Sequence, residues 1–99
     1  MIKGGSVYIM TNQHHSVLYT GVTSDLFARV TVHKERIYPK SFTSRYNLDK
    51  LVYYENYHLI VEAIAREKQI KGGSRKKKEL LISSINPNWN DLFEEIKEW

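Results

Sequence analysis

A carboxylate set inside an apolar helical stripe needs a chemical reason, and Glu67 is such a residue. Ile60, Ala63, Ile64 and Ile70 recur at helical spacing, and Glu67 falls four after Ala63, three after Ile64 and three before Ile70. A carboxylate facing a core persists when it is paired or binds a metal. For Glu67 both remain open: a divalent cation, or an ion pair with a nearby basic residue such as Arg29. Arg29 stands four before His33, so the two share a helix face, and it lies one position off the stripe of Leu26 and Val30. A guanidinium bordering the core there can grip a phosphate through two parallel hydrogen bonds, or its stem can cover apolar surface. Tyr8 and Tyr19 sit in two β-prone segments. A hairpin folded about residues 13 and 14 makes them cross-strand partners, with two phenols meeting on one patch of sheet. They read equally as ordinary strand tyrosines of the kind expected at Tyr53, Tyr54 and Tyr57. Gly21, two after Tyr19, permits a close approach of a ligand or neighbouring element at a strand end, or a bulge.

Two basic segments accompany these residues. Arg36, Tyr38, Lys40, Phe42, Arg45 and Tyr46 interleave cations with aromatic rings, which suits a surface offering charge to phosphates and flat faces to bases. The same pattern describes a loop pinned by its aromatics with solvated charges between them. Arg75, Lys76, Lys77 and Lys78 form a second cluster at a helix start, where positive charge opposes the helix dipole.

The elements that must position these groups follow from local pattern. Residues 6–12 and 17–23 read as strands joined by a polar turn. Ser24 and Asp25 start a helix that runs to about His33 or Lys34. Residues 35–47, with Pro39, have no period and read as an irregular segment. Residues 50–57 form a third strand, and 60–71 a helix closed by Gly72 and Gly73. Ser74 caps a further helix, Asn86-Pro87-Asn88 breaks the chain, and residues 91–99 form a short final helix. The order ββαβααα predicts an α+β fold, a small three-stranded antiparallel sheet flanked by helices.

With 99 residues, the chain is expected to make one domain over 1–99. It has no cysteine, which removes disulfides, thiolate zinc sites and cysteine nucleophiles from consideration. No segment has the apolar length of a signal peptide or a membrane span, so a cytoplasmic protein with no membrane partner is expected. The net charge is +4 and uneven. Residues 1–78 carry 14 of the 15 lysines and arginines with six acids, and residues 79–99 carry one lysine with five acids. A basic body with an acidic tail favours a polyanionic partner.

The ordered set of motifs resembles the GIY-YIG nuclease superfamily, in particular its small stand-alone bacterial proteins, over nearly the whole chain. Ser6-Val7-Tyr8 is similar to the GIY element and Tyr19-Thr20-Gly21 to the YIG element. Gly21 to Leu26, then Arg29 and His33, resembles the helix motif that follows. Ala65 to Lys71 is similar to the metal-site helix, and Asn86-Pro87-Asn88-Trp89-Asn90 to a late segment where many members place an asparagine. The resemblance implies an endonuclease that hydrolyses phosphodiester bonds in nucleic acid, DNA foremost, with selectivity for DNA structure among its expected properties. It implies that Glu67 binds one Mg²⁺ or Mn²⁺ and that the metal stabilises charge on the leaving oxygen. Tyr8 is then the general base or positions the attacking water. With an ordinary phenol pKa of about 10, it serves near neutrality only where the metal site or nearby cations favour its phenolate. Tyr19 orients the water or a phosphate oxygen, Arg29 stabilises charge developing on phosphate, and His33 bonds to a catalytic tyrosine or assists proton transfer. Asn90, next to Trp89, is the preferred late asparagine. Arg36, Lys40, Arg45, Tyr46, Arg75, Lys76, Lys77 and Lys78 are the expected nucleic-acid contacts. Two positions depart from the family pattern: Ser6 replaces the first glycine, and Val22 stands where the family's repair nucleases carry a lysine.

Two other classes fit parts of the sequence. A non-catalytic nucleic-acid-binding module on the same fold has no need of the set Tyr8, Tyr19, Arg29 and Glu67. A protein-interaction domain using the acidic tail and Trp99 predicts no salt-dependent binding of nucleic acid.

Overall fold

The computed structural model describes residues 4–97. Three strands form one antiparallel sheet: β1 (Gly5–Thr11), β2 (Leu18–Thr23) and β3 (Lys50–Tyr57), in the order β2-β1-β3. The helices are α1 (Leu26–Glu35), α2 (Phe42–Arg45), α3 (Ile60–Gly72), α4 (Arg75–Ile85) and α5 (Phe93–Ile96). This is the expected α+β class with one added element. The segment read as irregular contains α2, a single turn capped by Ser41, whose side chain accepts from the Ser44 amide. One turn is too short to show a period, so the cap was its only sequence signal.

β1 is the central strand and is buried along its whole length, so its alternating side chains feed two cores. Tyr8 and Met10 join Leu26 and Val30 of α1 and Leu92 and Ile96 near the C-terminus. Val7 and Ile9 join Ala63 and Ile70 of α3 and Ile82 of α4 on the other face. A bulge in β3 between the pairs Ile9–Tyr53 and Met10–Leu51 lets the neighbours Val52 and Tyr53 both face the second core.

The hairpin register differs from the expected one. β1 and β2 pair Tyr8 with Gly21 and Met10 with Tyr19, a shift of two residues. Asn12 causes it. Its side-chain oxygen accepts from the Ser16 and Val17 amides at 2.8 and 3.3 Å and holds a longer turn, with His15 at φ 57°. A shift of two preserves the faces, so both tyrosines stay on the α1 side.

Asp25 caps α1 through the Ala28 amide, and Ser74 caps α4 through the Lys77 amide. α3 ends at Gly72 and Gly73 as expected, yet neither glycine has a positive φ. Gly73 is extended and leads straight into the Ser74 cap. The acidic tail folds back on α1: Lys34 pairs with Asp91 at 2.5 Å, and the Leu92 amide donates to Leu51. Leu92 and Ile96 are buried there, and Trp99 lies outside the described residues. No helix among the described residues is long and apolar enough to cross a membrane.

Candidate active site

Tyr8 is completely buried in the middle of β1. Its cross-strand partner explains how the ring fits: a Cβ built on Gly21 would lie 2.5 Å from the Tyr8 hydroxyl oxygen and ring carbon Cζ. The tyrosine ring therefore occupies the space above the glycine, and any side chain at position 21 competes with it. The Tyr8 hydroxyl meets His33 Nε2 at 2.9 Å. Burial pushes the phenol well above its ordinary range, and the neighbouring Tyr19 adds to this. The charge and hydrogen bonding of Arg29 pull the other way without reversing it. The cation at hand thus does not produce a phenolate, and Tyr8 rests as a neutral phenol.

His33 continues the Leu26–Val30 stripe at spacings of seven and three, and it is buried. Arg29 and His33 are expected from their spacing to share one helix face, and the structure divides them: His33 turns inward while Arg29 stays exposed, a split that the stripe spacing of His33 could have signalled. The His33 Nδ1 meets the Thr43 hydroxyl at 2.9 Å, and Thr43 in turn meets Ser41 at 3.2 Å. Burial, then the charge of Arg29, lowers the His33 pKa, so the ring is neutral near pH 7. A neutral imidazole donates from one nitrogen and accepts at the other. In the tautomer that carries its proton on Nδ1, His33 donates to Thr43 and Nε2 accepts the Tyr8 proton. Sequence reasoning missed Thr43, because it lies in a segment without period and meets His33 only through the packing of α2 on α1.

Tyr19 and His33 are in edge-to-face contact at 5.8 Å, and the rings of Tyr8 and Tyr19 lie 6.2 Å apart. Tyr19, Arg29, His33, Tyr38 and Phe42 line a cleft of about 440 Å³. Arg29 is exposed, and among the described residues no carboxylate pairs with it. The cleft therefore presents a guanidinium, a phenol and a neutral imidazole together, a set that can grip a phosphate and move a proton beside it.

Glu67 comes from α3, on the other face of the sheet, but at the β2 edge: its side chain is 15% exposed, and its partner Lys71 shares a cleft with Tyr19 and Phe42 of the site. Ile64, read as part of the buried stripe, is instead exposed, so the stripe is narrower than its spacing suggested. The carboxylate pairs with Lys71 at 3.4 Å, not with Arg29. Among the described residues no cluster of three or more potential ligands forms. One half-buried carboxylate with a long, partly exposed ion pair fits a hydrated divalent cation, since Mg²⁺ commonly takes one or two carboxylates and completes its shell with water and substrate phosphate.

Asn90 does not join this group. Its side chain is exposed, while Asn86 is the buried asparagine of the segment. Asn86 donates to the carbonyls of Val52 and Asn90 at 3.1 and 2.8 Å and accepts from the Asn90 amide at 3.0 Å, closing the loop onto β3. The preference for Asn90 rested on its place after Trp89, and the fold uses the backbone of Asn90, not its side chain.

The expected nucleic-acid contacts divide in two. Arg36 pairs with Asp49. Arg75 pairs with Glu79 and donates to the carbonyls of His15 and Ser16, bracing the hairpin turn. Lys40, Arg45, Lys76 and Lys77 are exposed, Lys78 is half-buried with its ammonium on the Gly73 carbonyl, and Tyr46 packs its exposed ring on Phe42 at 4.7 Å.

A family model described as the GIY-YIG catalytic domain matches residues 4–80. Among solved structures, the solution NMR structure of the UPF0213 protein BH0048 from Bacillus halodurans is similar to this chain. It shares 30% sequence identity and a TM-score of 0.56, over 89% of this chain and 92% of that one. No curated protein matches the chain.

Proposed function

Because the chain belongs to the GIY-YIG catalytic domain family, within a superfamily of nucleases, we propose that it is an endonuclease hydrolysing phosphodiester bonds in DNA with one divalent metal ion, Mg²⁺ or Mn²⁺. The observation that carries this reading is the hydrogen-bonded line from Tyr8 through His33 to Thr43, set against the cleft that Arg29 lines.

The roles follow from which groups face the cleft. Tyr8 is sealed from solvent, so the attacking water meets Tyr19, the phenol that lines the cleft. The Tyr19 ring lies 6.2 Å from that of Tyr8, and its charge bears on the Tyr8 phenol, so the reading has the two hydroxyls exchange a proton. The water gives a proton to Tyr19 as Tyr19 gives its own to Tyr8 and Tyr8 gives its own to His33 Nε2. The relay ends with imidazolium at His33 and hydroxide at phosphorus, and the bond from phosphorus to the leaving sugar oxygen breaks, with solvent supplying that oxygen's proton. Thr43 accepts from Nδ1 and keeps Nε2 free for the relay. Arg29 holds the non-bridging oxygens and gains strength as their charge grows. Glu67 would hold the metal, whose charge offsets that of the leaving oxygen when bound.

The test is incubation with linear, branched, nicked and single-stranded DNA and RNA in Mg²⁺, Mn²⁺ or EDTA, repeated with Arg29→Lys. Cleavage should need the metal. Arg29→Lys keeps the charge and loses the planar fork, so cleavage should fall far more than binding. Undiminished cutting in EDTA overturns the metal role. Binding without cutting on every substrate supports the non-catalytic module instead.

A further inference from the structure

Three concavities of the surface share residues and form one path. The cleft of the site is bounded by Tyr19 and Phe42. The same two residues bound a second cleft of about 410 Å³ at the outer edge of β2, completed by Leu18, Thr20, Lys71 and Lys78. Lys78 in turn bounds a third, about 450 Å³, between α3 and α4, where Arg66 and Lys77 also lie. The path starts at Arg29 on one face of the sheet, turns around the edge strand and ends between helices on the other face.

Its lining changes in character along the way. At the site end, Tyr38, Phe42 and Tyr46 are 65, 47 and 45% exposed, an unusual concentration of bare aromatic surface beside a charged cleft. Past the β2 edge the lining carries the cations Lys71, Lys77 and Lys78 among apolar side chains such as Leu18, Ile70 and Leu81; Lys71 also pairs with Glu67 and Lys78 with the Gly73 carbonyl, contacts that a phosphate would share or replace. Each cleft has the volume of a small-ligand site.

From this continuity we infer that the path is the track of a single unpaired polynucleotide strand, bases against Tyr38 and Phe42 and phosphates on Lys71, Lys77 and Lys78. This rests on the hydrolase reading of the site and names the form of its substrate. A duplex stacks its bases inside, where these rings cannot reach them, and it is stiff over about 150 base pairs, so it does not turn around the edge of one strand. An unpaired strand exposes its bases, follows a curved groove and stacks on aromatic rings without regard to sequence.

The experiment is fluorescence anisotropy in EDTA with a labelled oligothymidylate and with a blunt hairpin duplex holding the same number of phosphates. The single strand should bind at least about tenfold tighter. Each phosphate contact on a single strand contributes about −0.7 to the slope of log K against log salt. Lys71→Gln with Lys78→Gln should therefore flatten that slope by roughly 1.4, whereas Lys68→Gln, exposed on α3 outside the path, should leave it unchanged. Phe42→Leu should weaken the single strand about tenfold with little change in slope, and circular dichroism confirms that each variant is folded. Equal affinity for the duplex, or equal loss of slope in Lys68→Gln, overturns the inference. Cleavage with metal, assayed separately, decides the hydrolase reading. Selective binding without cleavage leaves the track standing and removes the hydrolase, and cleavage of duplex with equal affinity for both forms does the reverse.

Discussion

Gly21→Ala adds one methyl group at the point where the fold has no room for it. The new Cβ would lie 2.5 Å from the Tyr8 hydroxyl and Cζ and 2.9 Å from Cε1. In an open site a phenol would swing aside. Here the ring is wholly buried, and its hydroxyl is held by His33 at 2.9 Å. Forcing extra volume into a packed core costs about 1–3 kcal/mol. Moving the hydroxyl off His33 costs roughly 1 kcal/mol more, since a buried hydrogen bond is lost. A total of about 2–4 kcal/mol lowers the melting temperature of a domain of this size by roughly 10–30 °C. The proposed proton relay would break at the same point, so cleavage measured well below the melting transition should fall at least about 100-fold. The control is Tyr8→Leu, which empties the space above Gly21. In that background Gly21→Ala should be nearly neutral, and the two substitutions should couple by about 1–3 kcal/mol in a double-mutant cycle. A Gly21→Ala protein that melts within 2 °C of wild type and cuts normally, on a scale of ~10 °C expected, would refute the packing argument. An equal penalty in both backgrounds would refute it as well.

Two further outcomes are expected. Glu67→Gln removes the charge proposed to hold the metal and breaks only a partly exposed i,i+4 pair with Lys71, worth a few tenths of a kcal/mol. Metal-free protein should melt within about 4 °C of wild type while cleavage is lost, and a large drop in melting temperature with cleavage retained would reject the metal role. The second concerns pH. His33 has a pKa below its ordinary 6.5, from burial first and Arg29 second. The unfolded chain therefore binds more protons than the folded one just below pH 6.5. The stability from keeping His33 neutral is full above 6.5 and is lost as pH falls toward the folded value. His15, lowered by burial and then by Lys50, titrates in the same window, so the comparison is made in His15→Gln. In that background His33→Gln should flatten the fall in melting temperature between pH 6.5 and 5, and an unchanged slope would show that His33 is not held neutral.

The sequence by itself determined what depends on near neighbours along the chain. Asp25 and Ser74 start helices because a short oxygen-bearing side chain satisfies free amides wherever it stands, and both do so here. The strands, the α+β class and the shared face of Tyr8 and Tyr19 follow from period-two patterning, which survives a register shift of two. The signal for burying His33 was present as well, as a continuation of the Leu26–Val30 stripe, but the four-residue spacing to Arg29 suggested a shared face that the structure divides.

Tertiary structure decided everything that depends on distance across the sheet. The hairpin register was set by Asn12, whose side chain captures two amides of the turn, a competition that alternation of apolar residues cannot report. Thr43 became the partner of His33 because α2 packs on α1, ten residues away in sequence. Burial, which the sequence did not report, raised the pKa of Tyr8 and sealed its phenol from solvent. Asn86 took the structural role expected of no asparagine in particular, because only the folded loop brings Val52 and Asn90 to its amide together. Helical spacing placed Glu67 near a core, and packing chose Lys71 over Arg29 as its partner, because α3 and α1 cover opposite faces of the sheet.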